Sequence, residues 1–154
     1  AIGVARAPSA AARGLRRQLA TGRALFEAGR WAESDAALGP ELAMAARRLT
    51  DAGEKRRFWP ALHEAAAHRA QAALRAADHV LDAVERERAV ARAVDLFEKV
   101  IVMDDAALGF FDFLYEYCKA LRRLGRDAAA DAVFVEARKN NPAFPWVGAP
   151  AQMP

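Results

Sequence analysis

The chain has 154 residues, about a quarter of them alanine, and its 23 basic and 20 acidic side chains leave a formal net charge of +3. This length suits one domain with a buried core, and so small a charge argues against a nucleic-acid binder, which usually concentrates basic residues on one face. No run of about 18 apolar residues occurs, which excludes a transmembrane helix within this sequence. Alanine is the strongest helix former and alternating β-branched runs are absent, so the sequence predicts an all-α fold.

The N-terminal part is basic and free of carboxylates as far as Glu27. Residues 1–8 are predicted to form an irregular lead, and Ser9 to Ala28 a helix. Richness in alanine and arginine without acidic residues resembles an organellar transit peptide. The interpretation we favour is that this stretch is simply the first, basic helix of the domain.

A second helix is predicted to start near Ala32, after the break at Gly29. At Gly39-Pro40 this helix either kinks or gives way to a new one that runs from Pro40 to Thr50. Residues 50–57 are polar and predict a loop, after which Pro60 begins the next helix. A helix that continued from Pro60 to Met103 would be about 66 Å long, so we predict a turn at residues 85–88.

The last third of the chain predicts two more helices and a tail. Asp104 and Asp105 are expected to cap a helix that starts near Ala106. The next predicted helix covers 110–124 and ends at Gly125, and Asp127 is expected to cap the last helix, which Pro142 closes. Residues 143–154 are rich in proline and predict an extended tail.

Two segments resemble the tetratricopeptide-repeat (TPR) family. In Phe111–Pro142 the helix-packing positions are Ala130, Phe134 and Ala137, and the segment has about the length of one repeat. In residues 22–38 the small residue Gly22 would lie where two helices cross, Gly29 permits the turn, and Ser34 supplies a small contact. The resemblance implies about three antiparallel helix pairs, stacked as a short right-handed solenoid over residues 9–142. Sel1-like and HEAT-like helix-pair solenoids are the alternatives.

Motifs for catalysis or cofactor binding are not found in the sequence. His63 and His68 are five residues apart and miss the spacing of a metalloprotease helix, and no glycine-rich phosphate loop is present. Cys118, the single cysteine, excludes an internal disulfide and a zinc site built from cysteines, and fits an intracellular, reducing compartment. The repeat register makes it a buried packing thiol. We therefore predict a protein without enzymatic activity, cofactor or metal, and the transit-like N-terminus leaves a mitochondrion or plastid as the alternative location.

A partner surface is predicted on the first helix of each pair, because these helices line the concave face in the TPR family. The helix over 110–124 also carries more aromatic residues than one buried stripe requires, so Phe113 and Tyr115 either face a partner or lie between neighbouring helices. The Trp146 tail is expected to dock on the end of the repeat or on a partner. The predicted binding residues are Arg16, Arg23, Asp78, Asp82, Glu85, Phe113, Tyr115, Lys119, Arg122 and Trp146.

The resemblance implies a module that binds a protein or peptide, as a scaffold or accessory subunit of a larger assembly. A groove with basic ends and an acidic middle would favour a peptide of mixed charge. The alternative is a helical-repeat protein that binds RNA or a ribonucleoprotein particle. That function would use seven arginines: Arg13, Arg16, Arg17, Arg47, Arg48, Arg56 and Arg57.

Overall fold

A computed structural model describes residues 6–141, apart from the side chain of Asn140. Within this range the chain forms seven α-helices and one 3₁₀ helix, and no strand. The α-helices are α1 (Ala10–Glu27), α2 (Trp31–Ala37), α3 (Pro40–Arg47), α4 (Ala52–Ala77), α5 (Ala83–Met103), α6 (Phe111–Arg123) and α7 (Asp127–Asn140), and the 3₁₀ helix is Asp105–Gly109. The predicted all-α class is confirmed. No helix in residues 6–141 is long and apolar enough to cross a membrane.

The first helix begins where the sequence predicts. Ser9 is its N-cap, and the Ser9 hydroxyl accepts a hydrogen bond from the Ala12 amide at 3.1 Å. Ser9 also donates to Glu54 on α4, which ties the start of α1 to a second helix. At Gly39-Pro40 the new helix, α3, forms, with Pro40 in its first turn, but it ends at Arg47 rather than Thr50.

The predicted loop over residues 50–57 is wrong, because α4 already begins at Ala52. Asp51 caps this helix and accepts a hydrogen bond from the Glu54 amide at 2.8 Å. The polar residues form the first, solvent-exposed turns of α4, and Pro60 lies inside the helix instead of starting it. A polar stretch predicts a loop and the exposed first turns of a helix equally well, and an Asp three residues before a Glu is a typical helix start.

Two further boundaries need correction. The turn predicted at 85–88 lies at residues 78–82, and Asp82 starts α5 by accepting a hydrogen bond from the Glu85 amide. Asp127 is the first residue of α7 rather than its cap, since Arg126 holds that position without a side-chain hydrogen bond. Asp104 does cap the next element, but that element is the 3₁₀ helix.

Glycines close two tight turns with left-handed backbone angles. Gly29 between α1 and α2 has φ +73°, and Gly125 between α6 and α7 has φ +72°. A side chain is strained at such angles, so glycine is the residue that ends these helices most easily. The flanking helices pack on each other in both cases, as do α4 and α5 across their own turn.

Close helix crossings accompany each glycine turn, as predicted for Gly22, Ser34 and Cys118. The buried Ser34 hydroxyl on α2 donates to the Gly22 carbonyl on α1 at 3.0 Å. In the last pair the Cys118 thiol on α6 lies 3.6 Å from the Ala130 carbonyl on α7. Cys118 is 2% exposed, and burial raises the pKa of its thiol to about 11, which suits packing rather than nucleophilic chemistry.

The buried apolar side chains form two clusters. The larger, here called the C-terminal core, comprises residues from the second half of α4, α5, the 3₁₀ helix, α6 and α7, with Phe97 and Phe134 among its fully buried members. The smaller, the N-terminal core, joins α1, α2–α3 and the first half of α4 around Leu15 and Phe58. Helix α4 therefore runs through both cores.

Candidate functional site

A groove of about 720 Å³ crosses the middle of α4. Its walls are the end of α1, the exposed side of α4 and the segment from the end of α5 to the start of α6. We call it the central groove. Its lining residues are Phe26, Trp59, Pro60, His63, Glu64, Ala67, His68, Gln71, Arg75, Asp104, Ala106, Ala107, Phe110, Asp112 and Phe113.

Two large aromatic side chains in the central groove are exposed to solvent. Trp59 on α4 is 47% exposed, and Phe110 at the start of α6 is 68% exposed. Aromatic side chains of this size are usually covered, and uncovered ones that share a concave surface are typical of a binding site. The groove therefore has apolar contacts available for a ligand.

Arg75 is one of the residues that line the central groove. Its guanidinium makes two hydrogen bonds to the Glu116 carboxylate, at 3.1 Å and 2.6 Å, and Gln71 donates to the same carboxylate at 3.1 Å. The guanidinium also lies over the rings of Trp31 and Phe26, 4.7 Å and 5.1 Å from their centroids. Arg75 thus links α1 and α2 to α6, and its charge is matched by Glu116.

His68 lies on the wall of the groove against Phe26. The two rings are stacked, with centroids 4.2 Å apart and planes inclined by 12°. Burial lowers the pKa of His68 below its ordinary value of 6.5, and the nearby Glu64 carboxylate, 3.9 Å away, opposes this effect. His68 is therefore neutral at physiological pH and acts as a flat packing surface.

A second, adjoining groove shares Arg75 and Asp112 with the first. It brings together three of the predicted binding residues, namely Asp78, Tyr115 and Lys119. The Lys119 ammonium lies 5.7 Å from the Tyr115 ring centroid, and Asp78 pairs with Arg123 at 2.7 Å. These three residues from α4 and α6 do lie on one continuous surface.

Phe113 and Arg122 face other helices. Phe113 is 3% exposed and packs on Phe97 at 4.9 Å, so it forms the floor of the central groove and part of the C-terminal core. Arg122 turns towards α7, where it donates to Asp131 at 2.6 Å. Phe113 is therefore buried between neighbouring helices, which is the second of the two interpretations given for the aromatic helix over 110–124.

The other predicted residues do not line either groove. Arg16 and Arg23 are exposed on α1, and Arg23 pairs with Glu27 at 3.0 Å. Asp82 and Glu85 lie at the start of α5, where Glu85 pairs with Arg88. Trp146 and the tail over 143–154 lie outside the described residues.

Most residues of the central groove are not among those predicted from the sequence. Pro60 is predicted to begin a helix, but it lies together with Trp59 inside α4, where both line the groove. Phe110 belongs to the predicted aromatic helix over 110–124 but not to the predicted binding residues. The exposure of both aromatic rings depends on how α4 meets the start of α6, which a single sequence does not reveal.

Within residues 6–141 no group of three His, Cys, Asp or Glu side chains is arranged to hold a metal ion. The Nε2 atom of His63 lies 3.2 Å from the Asp104 carbonyl oxygen. The features of the groove are thus exposed aromatic rings, carboxylates and one matched arginine. Comparison with protein-family models, curated proteins and solved structures finds no match to this chain.

Proposed function

We propose that this chain is a non-catalytic protein-interaction module that holds a segment of a partner protein in the central groove. The observation that carries the proposal is the pair of exposed aromatic rings, Trp59 and Phe110, on one concave surface. Exposed apolar surface of this kind is costly to leave in water and becomes favourable when a ligand covers it. The module serves as a scaffold or as an accessory subunit of a larger assembly.

We further propose a TPR-like architecture of three antiparallel helix pairs, stacked as a short right-handed solenoid. The pairs are α1 with α2, α4 with α5, and α6 with α7, and α3 is an insertion. Three positions recur at one constant spacing in the first and last pairs: Gly22 and Cys118, Gly29 and Gly125, Ser34 and Ala130. In both pairs, two of these positions form a contact between the two helices. The Ser34 hydroxyl donates to the Gly22 carbonyl, and the Cys118 thiol lies near the Ala130 carbonyl.

The two grooves support this architecture. Their walls come mainly from α4 and α6, the first helices of two pairs; Phe26 of α1 and the segment 104–110 complete the central groove, and α7 contributes to neither groove. First helices line the concave face in the TPR family, which is where a partner segment would lie. The buried single cysteine fits a reducing compartment inside the cell, and the acid-free N-terminus makes a mitochondrion or plastid the alternative location.

The test is affinity capture from native lysate with quantitative mass spectrometry. We expect a partner whose recovery falls about tenfold or more when Trp59 and Phe110 are both replaced by alanine, since each buried aromatic anchor contributes one to several kcal/mol. The matched control replaces Leu81 and Val102, which are exposed at 94% and 88% outside both grooves. Equal recovery with the groove variant, the control variant and the unchanged protein would contradict the proposal.

RNA binding is the second candidate, and the N-terminal end of the molecule favours it. All seven arginines named for this function are exposed there, and none forms an ion pair with an acidic side chain within residues 6–141. Binding to RNA should weaken steeply as salt rises, because counterions are released from the phosphates. A filter-binding titration at two salt concentrations tests this, and absence of binding at low salt would exclude it.

A further inference from the structure

We infer that the central groove takes a basic peptide segment with an aromatic or large aliphatic anchor, an inference that rests on the proposed function. The sequence predicts a peptide of mixed charge, because basic residues of α1 and α6 are expected at the two ends of the groove. The structure distributes the charges differently. Three carboxylates line the central groove, on Glu64, Asp104 and Asp112, and all three residues are exposed.

The arginines near these carboxylates are already paired with other acidic side chains, and Lys119 lies in the adjoining groove, over the Tyr115 ring. Arg75, the one arginine among the lining residues, is neutralised by Glu116. Arg23 lies near Glu64, but it donates a hydrogen bond to Glu27, so this pair adds no net charge. The groove surface is therefore negative, although the whole chain has a net charge of +3.

His68 does not reverse this sign near neutral pH, because it is stacked on Phe26 and half-buried, where the charged imidazolium is disfavoured. Trp59 and Phe110 offer exposed apolar area in the same groove as these carboxylates, and the buried Phe113 also lines it. A ligand that fits has an apolar side chain for the aromatic rings and Lys or Arg for the rim, because complementary charge directs both encounter and orientation.

Three labelled peptides test the charge of the occupant by fluorescence anisotropy. The first combines Leu and Trp with Arg, the second has Gln in place of each Arg, and the third has Glu. We expect the Arg peptide to bind at least about tenfold more tightly than the Gln peptide, and the Glu peptide most weakly. The advantage should shrink in high salt, since these carboxylates are exposed.

The decisive variant carries Glu64→Gln, Asp104→Asn and Asp112→Asn. These changes keep side-chain size, and an asparagine in place of Asp104 can still cap the 3₁₀ helix. We expect the variant to lose most of the preference for Arg over Gln. The matched control has the same change of net charge on α5, through Glu87→Gln, Asp95→Asn and Glu98→Gln, at exposed positions outside the groove. It should bind the Arg peptide within about twofold of the unchanged protein.

Other occupants give different outcomes. Equal loss of Arg-peptide binding in both triple variants would mean general charge attraction and would overturn the inference. Tighter binding of a peptide with the uncharged sequence 143–154 would point to the chain's own tail, and self-association abolished by Phe110→Ser would point to a second copy. If Trp59→Ala and Phe110→Ala abolish partner capture while the carboxylate variant does not affect it, the proposed function stands and the basic partner is wrong.

Discussion

The two cores of this protein differ in what they are made of. The C-terminal core packs Phe97 between Phe113 and Tyr117, with ring centroids 4.9 Å and 5.5 Å apart. The N-terminal core has Phe58 as its buried aromatic residue and otherwise consists of leucine and alanine. Since aromatic side chains bury the most apolar area, the difference indicates that the C-terminal half contributes most of the stability.

Polar contacts connect the two halves. Asp35 on α2 pairs with Arg69 on α4 at 3.1 Å and with Arg92 on α5 at 2.7 Å. Arg75 provides the second connection through Glu116 and the rings of Phe26 and Trp31. We call these contacts the junction. The central groove lies beside the junction, so a ligand bound in the groove would contact both halves.

The largest expected effect is on the C-terminal core. Phe97→Ala should lower the free energy of unfolding by about 3–5 kcal/mol, because it removes a fully buried ring and leaves a cavity. Leu15→Ala in the N-terminal core should cost about 2–3 kcal/mol, since the smaller cluster can relax around the gap. Urea denaturation followed by circular dichroism measures both. An equal loss of unfolding free energy in Leu15→Ala and Phe97→Ala would contradict the prediction that the C-terminal core contributes more to stability.

The next effect concerns the junction. Asp35→Asn should destabilise the protein by about 1.5–3 kcal/mol, because the Asp35 side chain is 14% exposed and accepts from two arginines. Because Asp35 connects the two halves, its replacement should make them unfold less cooperatively. The unfolding transition should therefore become broader or separate into two steps. Glu33→Gln, in an exposed pair with Arg30, is the control and should change stability by less than about 0.5 kcal/mol. A single, equally sharp transition in Asp35→Asn would mean that other contacts couple the halves.

A pair of glycines on α1 probes the close crossing in the N-terminal half. A methyl group on Gly22 would lie 2.2 Å from Leu38 Cδ2, whereas one on Gly14 would meet nothing within 4 Å. Gly22→Ala should therefore destabilise by about 1 kcal/mol, because strain exceeds the gain in helix propensity. Gly14→Ala should stabilise by about 0.5–1 kcal/mol. Thermal unfolding of both variants measures this contrast, and stabilisation by Gly22→Ala would contradict the crossing.

The smallest expected effect is on how the free energy of unfolding depends on pH, through His68 beside the junction. Burial holds the folded-state pKa of His68 below 6.5, so below that pH the unfolded state binds more protons than the folded state. Stability contributed by neutral His68 is thus complete above pH 6.5 and is lost as pH falls through the folded-state pKa. His68→Phe keeps a ring against Phe26 and removes this loss. The difference in unfolding free energy between the two proteins at about pH 8 and about pH 5 measures it, and identical pH profiles would contradict the shift.

Local features of the sequence determined much of the secondary structure. Alanine content indicated the all-α class, Ser9 marked the start of α1, and Gly29 and Gly125 marked two turns. These features act over a few residues, through helix propensity, capping and backbone angles, so they are legible without the rest of the fold. The roles of Ser34 and Cys118 were also predicted, because small residues at a helix crossing follow a known spacing.

The tertiary structure decided the rest. Asp51 and Glu54 are a local signal for a helix start, but the continuation of α4 through Pro60 to Ala77 depends on its packing on α1, α2 and α5. The central groove depended on α4, α1 and the start of α6 meeting, which exposes Trp59 and Phe110 and buries Phe113. Composition indicated a net charge of +3, yet the central groove is lined by three carboxylates and by one arginine, Arg75, which pairs with Glu116, a residue 41 positions further along the chain. Charge pairing between distant residues follows from the fold, and no local pattern contains it.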